Sequence, residues 1–381
     1  MRTEIKTAIV IAIVIAALVG GVGAYFTSLE KPKVDNRQNQ ADKNSQTSGN
    51  NSPAPNSAIL PIDESGNRKA PDLVGISGYI NTTPEELKAA MKDKVVFYDF
   101  WTYTCINCIR TFPYITAWSE KYADKGLLII GVHSPEFEFE KDINNVKKAV
   151  EKYGLKYPVM LDNDHKTWDA FGTRYWPSEY ITDYQGYIRH THFGEGEYEE
   201  TEKVIQQLLE ERSQHLGLSV ATAQPLVNLK EHKFDFSQTP ELYFGYNFAF
   251  SRNYLGNLEG FQAGQTVTYT LPTQLNQDHF YLEGKWQNLD DSMKLVSDTG
   301  KIALPYFAKD VHIVAANKSD LQILLDGNPV SVDYAGSDVQ NGIVHIDENR
   351  LYTLVSTKVA ESHTLTIIAK QGFEIYTFTF G

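Results

Sequence analysis

The chain has little cysteine: two residues, Cys105 and Cys108, in 381. One pair cannot staple a chain of this length, so a disulfide-built scaffold is excluded and stability must come from buried apolar surface. A closed zinc site needs four ligands, and the sequence has no second Cys-x-x-Cys and no His-x-x-x-His to complete one. His190 and His192 alternate on an expected strand and could join a metal only through long-range folding. No metal is expected. Positive charge is short too, with 35 Lys and Arg against 48 Asp and Glu and a formal net charge of -13. Such a surface repels phosphate backbones, which argues against a nucleic-acid partner.

Long apolar runs are missing except at the start. Thr7 to Phe26 carries no charge over about 20 residues, the length that spans a bilayer as a helix. Arg2 and Lys6 precede it against a single acid at Glu4, which places the N-terminus in the cytoplasm and the bulk outside. Small residues at Val22-Gly-Ala24 also suit a cleaved signal peptide, in which case the product is secreted or periplasmic; a retained single-pass anchor is the favoured reading. From Glu30 to about Ala70 the chain is rich in Asn, Gln, Ser, Pro, Lys and Asp and nearly free of aromatics, as in a disordered tether.

What is present is concentrated around the two cysteines. Val95 to Trp101 is an apolar, β-branched and aromatic run that reads as a buried strand, and the residues after Cys105 read as the first turns of a helix. A helix N-terminus favours an anion, so a thiolate at Cys105 should be stabilised there. Two intervening residues let the pair close into a disulfide and reopen. Cys105 is read as the attacking thiol and Cys108 as the resolving thiol. An acid inside an apolar strand, Asp99, should have a raised pKa and can take the proton of Cys108; a partly solvated strand end is the alternative.

This stretch resembles the active site of the thioredoxin fold, and its surroundings resemble the TlpA/ResA-like thiol-disulfide oxidoreductases. In that superfamily an acid stands six positions before the first cysteine and a proline five positions after the second, where Asp99 and Pro113 stand here. Trp101 occupies the tryptophan position of the strand end. The resemblance also implies a cis-proline loop facing the cysteines, with Pro177 at the matching place, leaving the backbone of Trp176 free to pair with an extended substrate. Trp101, Trp176 and Pro177 are thus expected at the substrate, with no cofactor beyond the Cys105–Cys108 disulfide.

Along the chain, Thr83 with Pro84, Glu85 and Glu86 is a helix start, Leu127 to Val132 a second buried strand, Lys141 to Tyr153 a helix, and Tyr157 to Leu161 another strand. Thr167 to Phe171, a turn at Asp183 to Gly186 and a closing helix over Glu199 to Arg212 complete an α/β sheet with crossover helices. The expected division is 1–29 anchor or signal, 30–70 linker, 71–213 thioredoxin-like domain and 214–381 a β-sandwich.

In the last segment about ten short alternating runs separated by Gly, Asn, Asp and Pro indicate an antiparallel all-β sandwich. It is similar to the jelly-roll, carbohydrate-binding-module-like C-terminal domain of DipZ-type cytochrome c biogenesis proteins. Tyr243, Phe244, Tyr246, Tyr254, Phe261, Tyr281 and Trp286 are candidates for a glycan surface, with core packing the commoner fate of such rings.

The expected function is an extracytoplasmic thiol-disulfide oxidoreductase exchanging disulfides with protein substrates, in cytochrome c maturation or disulfide quality control. The multi-span membrane part of DipZ is replaced here by one apolar segment, so electrons must come from a separate donor such as a membrane thiol carrier of the CcdA/DsbD type. Two alternatives stay open. Thr102-Tyr-Thr-Cys105 contains part of a peroxiredoxin motif, although Tyr98 stands where that motif has proline. The chain could also be a glycan- or protein-binding module on a redox scaffold.

Overall fold

A computed structural model of the chain describes residues 61–219, 225–229, 239–248 and 252–381. The Thr7 to Phe26 run and most of the expected linker lie outside the described residues. Among the described residues no helix is long and apolar enough to cross a membrane.

The first part is a six-stranded sheet in the order β1-β4-β3-β2-β5-β6. Its strands are β1 (Gly78–Ile80), β2 (Val95–Trp101), β3 (Leu127–His133), β4 (Val159–Leu161), β5 (Ser178–Thr182) and β6 (Ile188–Phe193). Strands β2, β3 and β4 run parallel, and β1, β5 and β6 pair antiparallel at the flanks. Five helices cover it: α1 (Pro84–Ala90), α2 (Ile106–Tyr122), α3 (Ile143–Lys152), α4 (Lys166–Phe171) and α5 (Tyr198–His215). Helix α1 starts as the sequence predicts. Thr83 accepts the Glu86 N–H, and the Glu86 carboxylate accepts the Thr83 N–H in return.

Strand β2 is buried along its whole length, which is why it reads as a continuous apolar run. Its alternate residues feed two cores. Val95, Phe97 and Trp101 pack with Phe112, Ile115 and Trp118 of α2, while Val96, Tyr98 and Phe100 pack with Leu87 and Trp168 on the other face.

The second part is an all-β antiparallel sheet of eleven strands. It comprises β7 (Leu242–Tyr243), β8 (Thr266–Tyr269), β9 (Tyr281–Asn288), β10 (Met293–Leu295), β11 (Thr299–Ala316), β12 (Ser319–Leu325), β13 (Asn328–Pro329), β14 (Val339–Gln340), β15 (Ile343–Ile346), β16 (Arg350–Lys370) and β17 (Glu374–Phe380). The expected break between Lys301 to Phe307 and Val311 to Ala315 does not occur, nor the one between Leu351 to Val355 and Thr364 to Ala369. Both pairs are single long strands, β11 and β16, because register shifts at Ala308/Asp310 and Val311/His312 absorb the irregular residues without a turn. One edge of β11 is held by β16. The other is shared by β9 and β17, which β10 bridges, so the ladder closes a circuit through β9, β11, β17 and β10. Its core holds Phe244 and Trp286, both without exposure.

The two parts share a fourth apolar cluster. Phe137, from the turn after β3, packs with Tyr243, Val314, Ala316, Leu351 and Tyr376 of the second sheet, and Ile106, the residue next to Cys105, lies against them. The rings of Phe139 and Tyr376 sit edge to face with centroids 4.8 Å apart.

Candidate active site

Helix α2 begins immediately after Cys105, which occupies its N-cap with an extended backbone, φ -75° and ψ 111°. The Cys108 N–H donates to the Cys105 sulfur at 3.2 Å, the contact that a thiolate at this position uses. Both cysteines are free; Cys105 is half-buried and Cys108 has no exposed surface. Pro113 lies inside the helix as expected.

Burial pushes the Cys108 thiol well up, the neighbouring Cys105 sulfur adds to this, and the Asp99 charge contributes less. Asp99 projects from β2 to the same side, fully buried, and neither carboxylate oxygen has a hydrogen-bond partner. Desolvation raises its pKa to about 8. The sheet register explains why nothing lowers it again: the residues beside Asp99 are Gly131 on β3 and Glu179 on β5, so neither neighbour is a cation.

Cys105 opens into a cleft of about 330 Å³. One wall is Arg174, Tyr175 and Trp176, and the Trp176–Pro177 peptide bond is cis, as the resemblance implies. The opposite wall comes from the second sheet, with Tyr243, Phe248, Arg252, Val314, Thr377 and Thr379. A larger cavity of about 490 Å³, between α3 and residues 347–350, contains neither cysteine.

Trp101 departs from expectation. It has no exposed surface, packs edge to face on Phe112 and His133, and lines no part of the cleft, because its position on β2 turns it into the core beneath α2. The C-terminal aromatics take the commoner of their two expected fates: Tyr243, Phe244, Tyr281 and Trp286 are buried, and Tyr254 and Phe261 pack against the core, so these six form no exposed ring platform. Thr102, the threonine of the peroxiredoxin-like motif, is buried with its hydroxyl 3.4 Å from His133 Nε2.

Three further acids stand at the site: Glu136, Glu140 and Glu179. Glu136 lines the cleft; burial, reinforced by Glu241, raises its pKa to about 8, and the Tyr243 hydroxyl donates to it at 2.5 Å. Glu140 is buried and accepts the Thr104 hydroxyl at 2.5 Å and the Phe137 N–H at 3.0 Å, tying the loop before Cys105 to the turn after β3. Neither has a motif to mark it. Glu179 carried the same signal as Asp99, an acid inside an apolar strand two residues after Pro177. Among the described residues no group of three His, Cys, Asp or Glu is placed to hold a metal.

Comparison with known proteins agrees with this geometry. The Redoxin family profile matches residues 65–209, and the family described as Thioredoxin like C-terminal domain matches residues 239–381. The chain is 36% identical over 315 residues to Protein DipZ of Mycobacterium bovis, covering 82% of this chain and 43% of DipZ, so it spans less than half the length of that relative. It is 30% identical over 133 residues to the thiol-disulfide oxidoreductase ResA of Bacillus thuringiensis, covering 34% of this chain and 74% of ResA. With the thiol-disulfide oxidoreductase YkuV of Bacillus subtilis it shares 29% identity over 143 residues, 37% of this chain and 94% of YkuV. A two-thiol helix start on a buried acidic strand, matched over most of ResA, makes this chain a member of the thioredoxin-like thiol-disulfide oxidoreductases.

Proposed function

We propose that the chain exchanges disulfides with protein substrates outside the cytoplasm through Cys105 and Cys108. The observation that carries this reading is the asymmetry of the thiols, one at the mouth of a cleft and one sealed behind it with its N–H 3.2 Å from the first sulfur. The Cys105 thiolate attacks a substrate disulfide, whose S–S bond breaks; a mixed disulfide forms and the leaving sulfur takes up a proton. Cys108 then gives its proton to Asp99 and attacks the Cys105 sulfur, releasing the second substrate sulfur and leaving the Cys105–Cys108 disulfide. Two electrons pass to the substrate, and a separate donor, of the CcdA/DsbD membrane thiol carrier type, restores the dithiol. Cytochrome c maturation or disulfide quality control is the process this chemistry suits.

The cis Trp176–Pro177 loop holds the substrate strand, Pro113 shapes the helix, and Trp101 supports the site from below. We divide the chain at 29, 70 and 213, with Thr7 to Phe26 as a membrane anchor and the C-terminal sheet as a folded-over, jelly-roll-like sandwich. Burial of its aromatic rings favours a role in docking protein substrates at the cleft over glycan binding.

Reduction of insulin disulfides by the full chain in detergent, with dithiothreitol as donor, tests this against peroxide consumption. Accelerated insulin precipitation that is lost in Cys105→Ser is the expected result. Peroxide turnover without disulfide reduction overturns it.

A further inference from the structure

The sheet beneath Cys108 carries a row of polar groups that reaches beyond the thiol pair. Cross-strand register sets Gly131, Asp99, Glu179 and His192 in line on β3, β2, β5 and β6. Directly opposed residues on one face have Cβ atoms about 5 Å apart, so each side chain in the row is within reach of the next. We infer that Asp99, Glu179 and His192 form a proton conduit, carrying the Cys108 proton across the sheet to solvent at Glu197, away from the substrate cleft. This rests on the thiol-exchange reading above.

The two ends of the row have opposite character. Both Asp99 oxygens are buried without partners at the Cys108 end. His192 is 10% exposed; its Nδ1 lies 3.3 Å from the Glu197 carboxylate, which is 64% exposed, and its Nε2 is buried without a partner. Glu179, 2% exposed, stands between them. Two like charges directly opposed in a dry sheet are unfavourable, so this acid pair carries at most one charge and the other carboxyl holds a proton. Burial and the Asp99 charge both push Glu179 up, in keeping with its being the proton holder.

The other titratable groups around the row do not compete for the proton. Tyr157 and Cys108 face the acids, and Tyr198 faces Glu179 from α5; burial raises the pKa of both tyrosines, so they stay neutral. At the outer edge, His190 on the same strand feels His192, Glu200 and Glu197, and Glu197 is the carboxylate paired with His192. Glutamate has three rotatable side-chain bonds, so rotation of Glu179 can serve both neighbours in turn.

The Cys108 S–H bond breaks and its proton goes to the Asp99 carboxylate. Asp99 passes a proton to Glu179 as Glu179 gives its own to His192 Nε2, and His192 releases the Nδ1 proton to Glu197 and water. The sulfur electron pair forms the Cys105–Cys108 bond while the bond from Cys105 to the substrate sulfur breaks.

The test uses the reduced full chain and an aromatic disulfide that frees a coloured thiolate once on attack by Cys105 and again on resolution by Cys108. Both phases are followed by stopped flow from pH 6 to 9, with melting temperature measured alongside. In Glu179→Gln and His192→Ala the second phase should slow about tenfold near pH 7 while the first stays within about twofold, and added imidazole should restore the second phase of His192→Ala. His192→Ala, at the sheet edge, keeps the test open should Glu179→Gln fail to fold. The conduit is overturned by a second phase unchanged in both variants, by equal slowing of both phases, or by no response to imidazole. No coloured thiolate from the unsubstituted chain would overturn the thiol-exchange reading itself.

Discussion

The Tyr243 hydroxyl, on the first strand of the C-terminal sheet, donates to the Glu136 carboxylate at 2.5 Å, joining two residues 107 positions apart beside the cleft that Cys105 opens into. The bond fastens the second sheet to the turn after β3, where Phe137 and Phe139 already pack on Tyr376.

Removing that donor should loosen the attachment. Tyr243→Phe is expected to cost about 1–2 kcal/mol in chemical denaturation, as for a buried acceptor left unpaired. Glu136 has a folded pKa of about 8 against 4.5 for an ordinary glutamate, so its contribution to stability is fully present below the lower value and is lost as pH rises to the upper. The Tyr243 bond opposes that rise, so the difference between variant and parent should widen from pH 5 to pH 9. An unchanged difference across this range would remove Glu136 as the cause.

Asp99 has the same sign. Its pKa, about 8 folded and 3.8 for an ordinary aspartate, means that the folded state binds the extra proton, and stability falls as pH rises between those two values. Asp99→Asn should therefore stabilise the reduced protein, by on the order of 5 kcal/mol at pH 8 and by little at pH 4. Thermal melts at both pH values read this directly. The same variant should slow resolution by Cys108, since the acceptor is gone.

The two cysteines should fail differently. Cys105→Ser is expected to abolish reaction with disulfides, because the buried Cys108 thiol has no approach from the cleft. Cys108→Ser should react once and stall as a mixed disulfide at Cys105, visible by mass spectrometry as one substrate adduct and, in cells, as a covalent partner.

Ile106 lies between the cysteines and against the C-terminal cluster. Ile106→Ala should cost about 1 kcal/mol, since the side chain is only half-buried, and should speed alkylation of Cys105 by a bulky maleimide several-fold as the cleft wall recedes. Equal alkylation rates would mean that the second sheet does not restrict access.

Much of this molecule is local and could be read from its residues. Val95 to Trp101 is apolar throughout because both faces of a central strand are covered; Cys105 precedes the helical pattern; Thr83 and Glu86 cap a helix through neighbours three apart in sequence. Asp99 and Pro113 were legible as an acid and a proline at set distances from the thiol pair, and Pro177 as a proline just before a strand. Trp101 was placed at the substrate on the same grounds, and there its strand position overruled the pattern.

What sequence could not supply was pairing across the chain. Glu179 matters because register sets it beside Asp99 and His192, and one residue of slip would turn it to the other face. Likewise the cleft gains its second wall only when Tyr243, Val314 and Thr377 are brought to Cys105 from more than a hundred residues away. Periodicity and capping are decided by neighbours along the backbone, and these the sequence determined by itself. Which buried acids face one another, and what stands over the reactive sulfur, depend on long-range packing, and only the tertiary structure decided them.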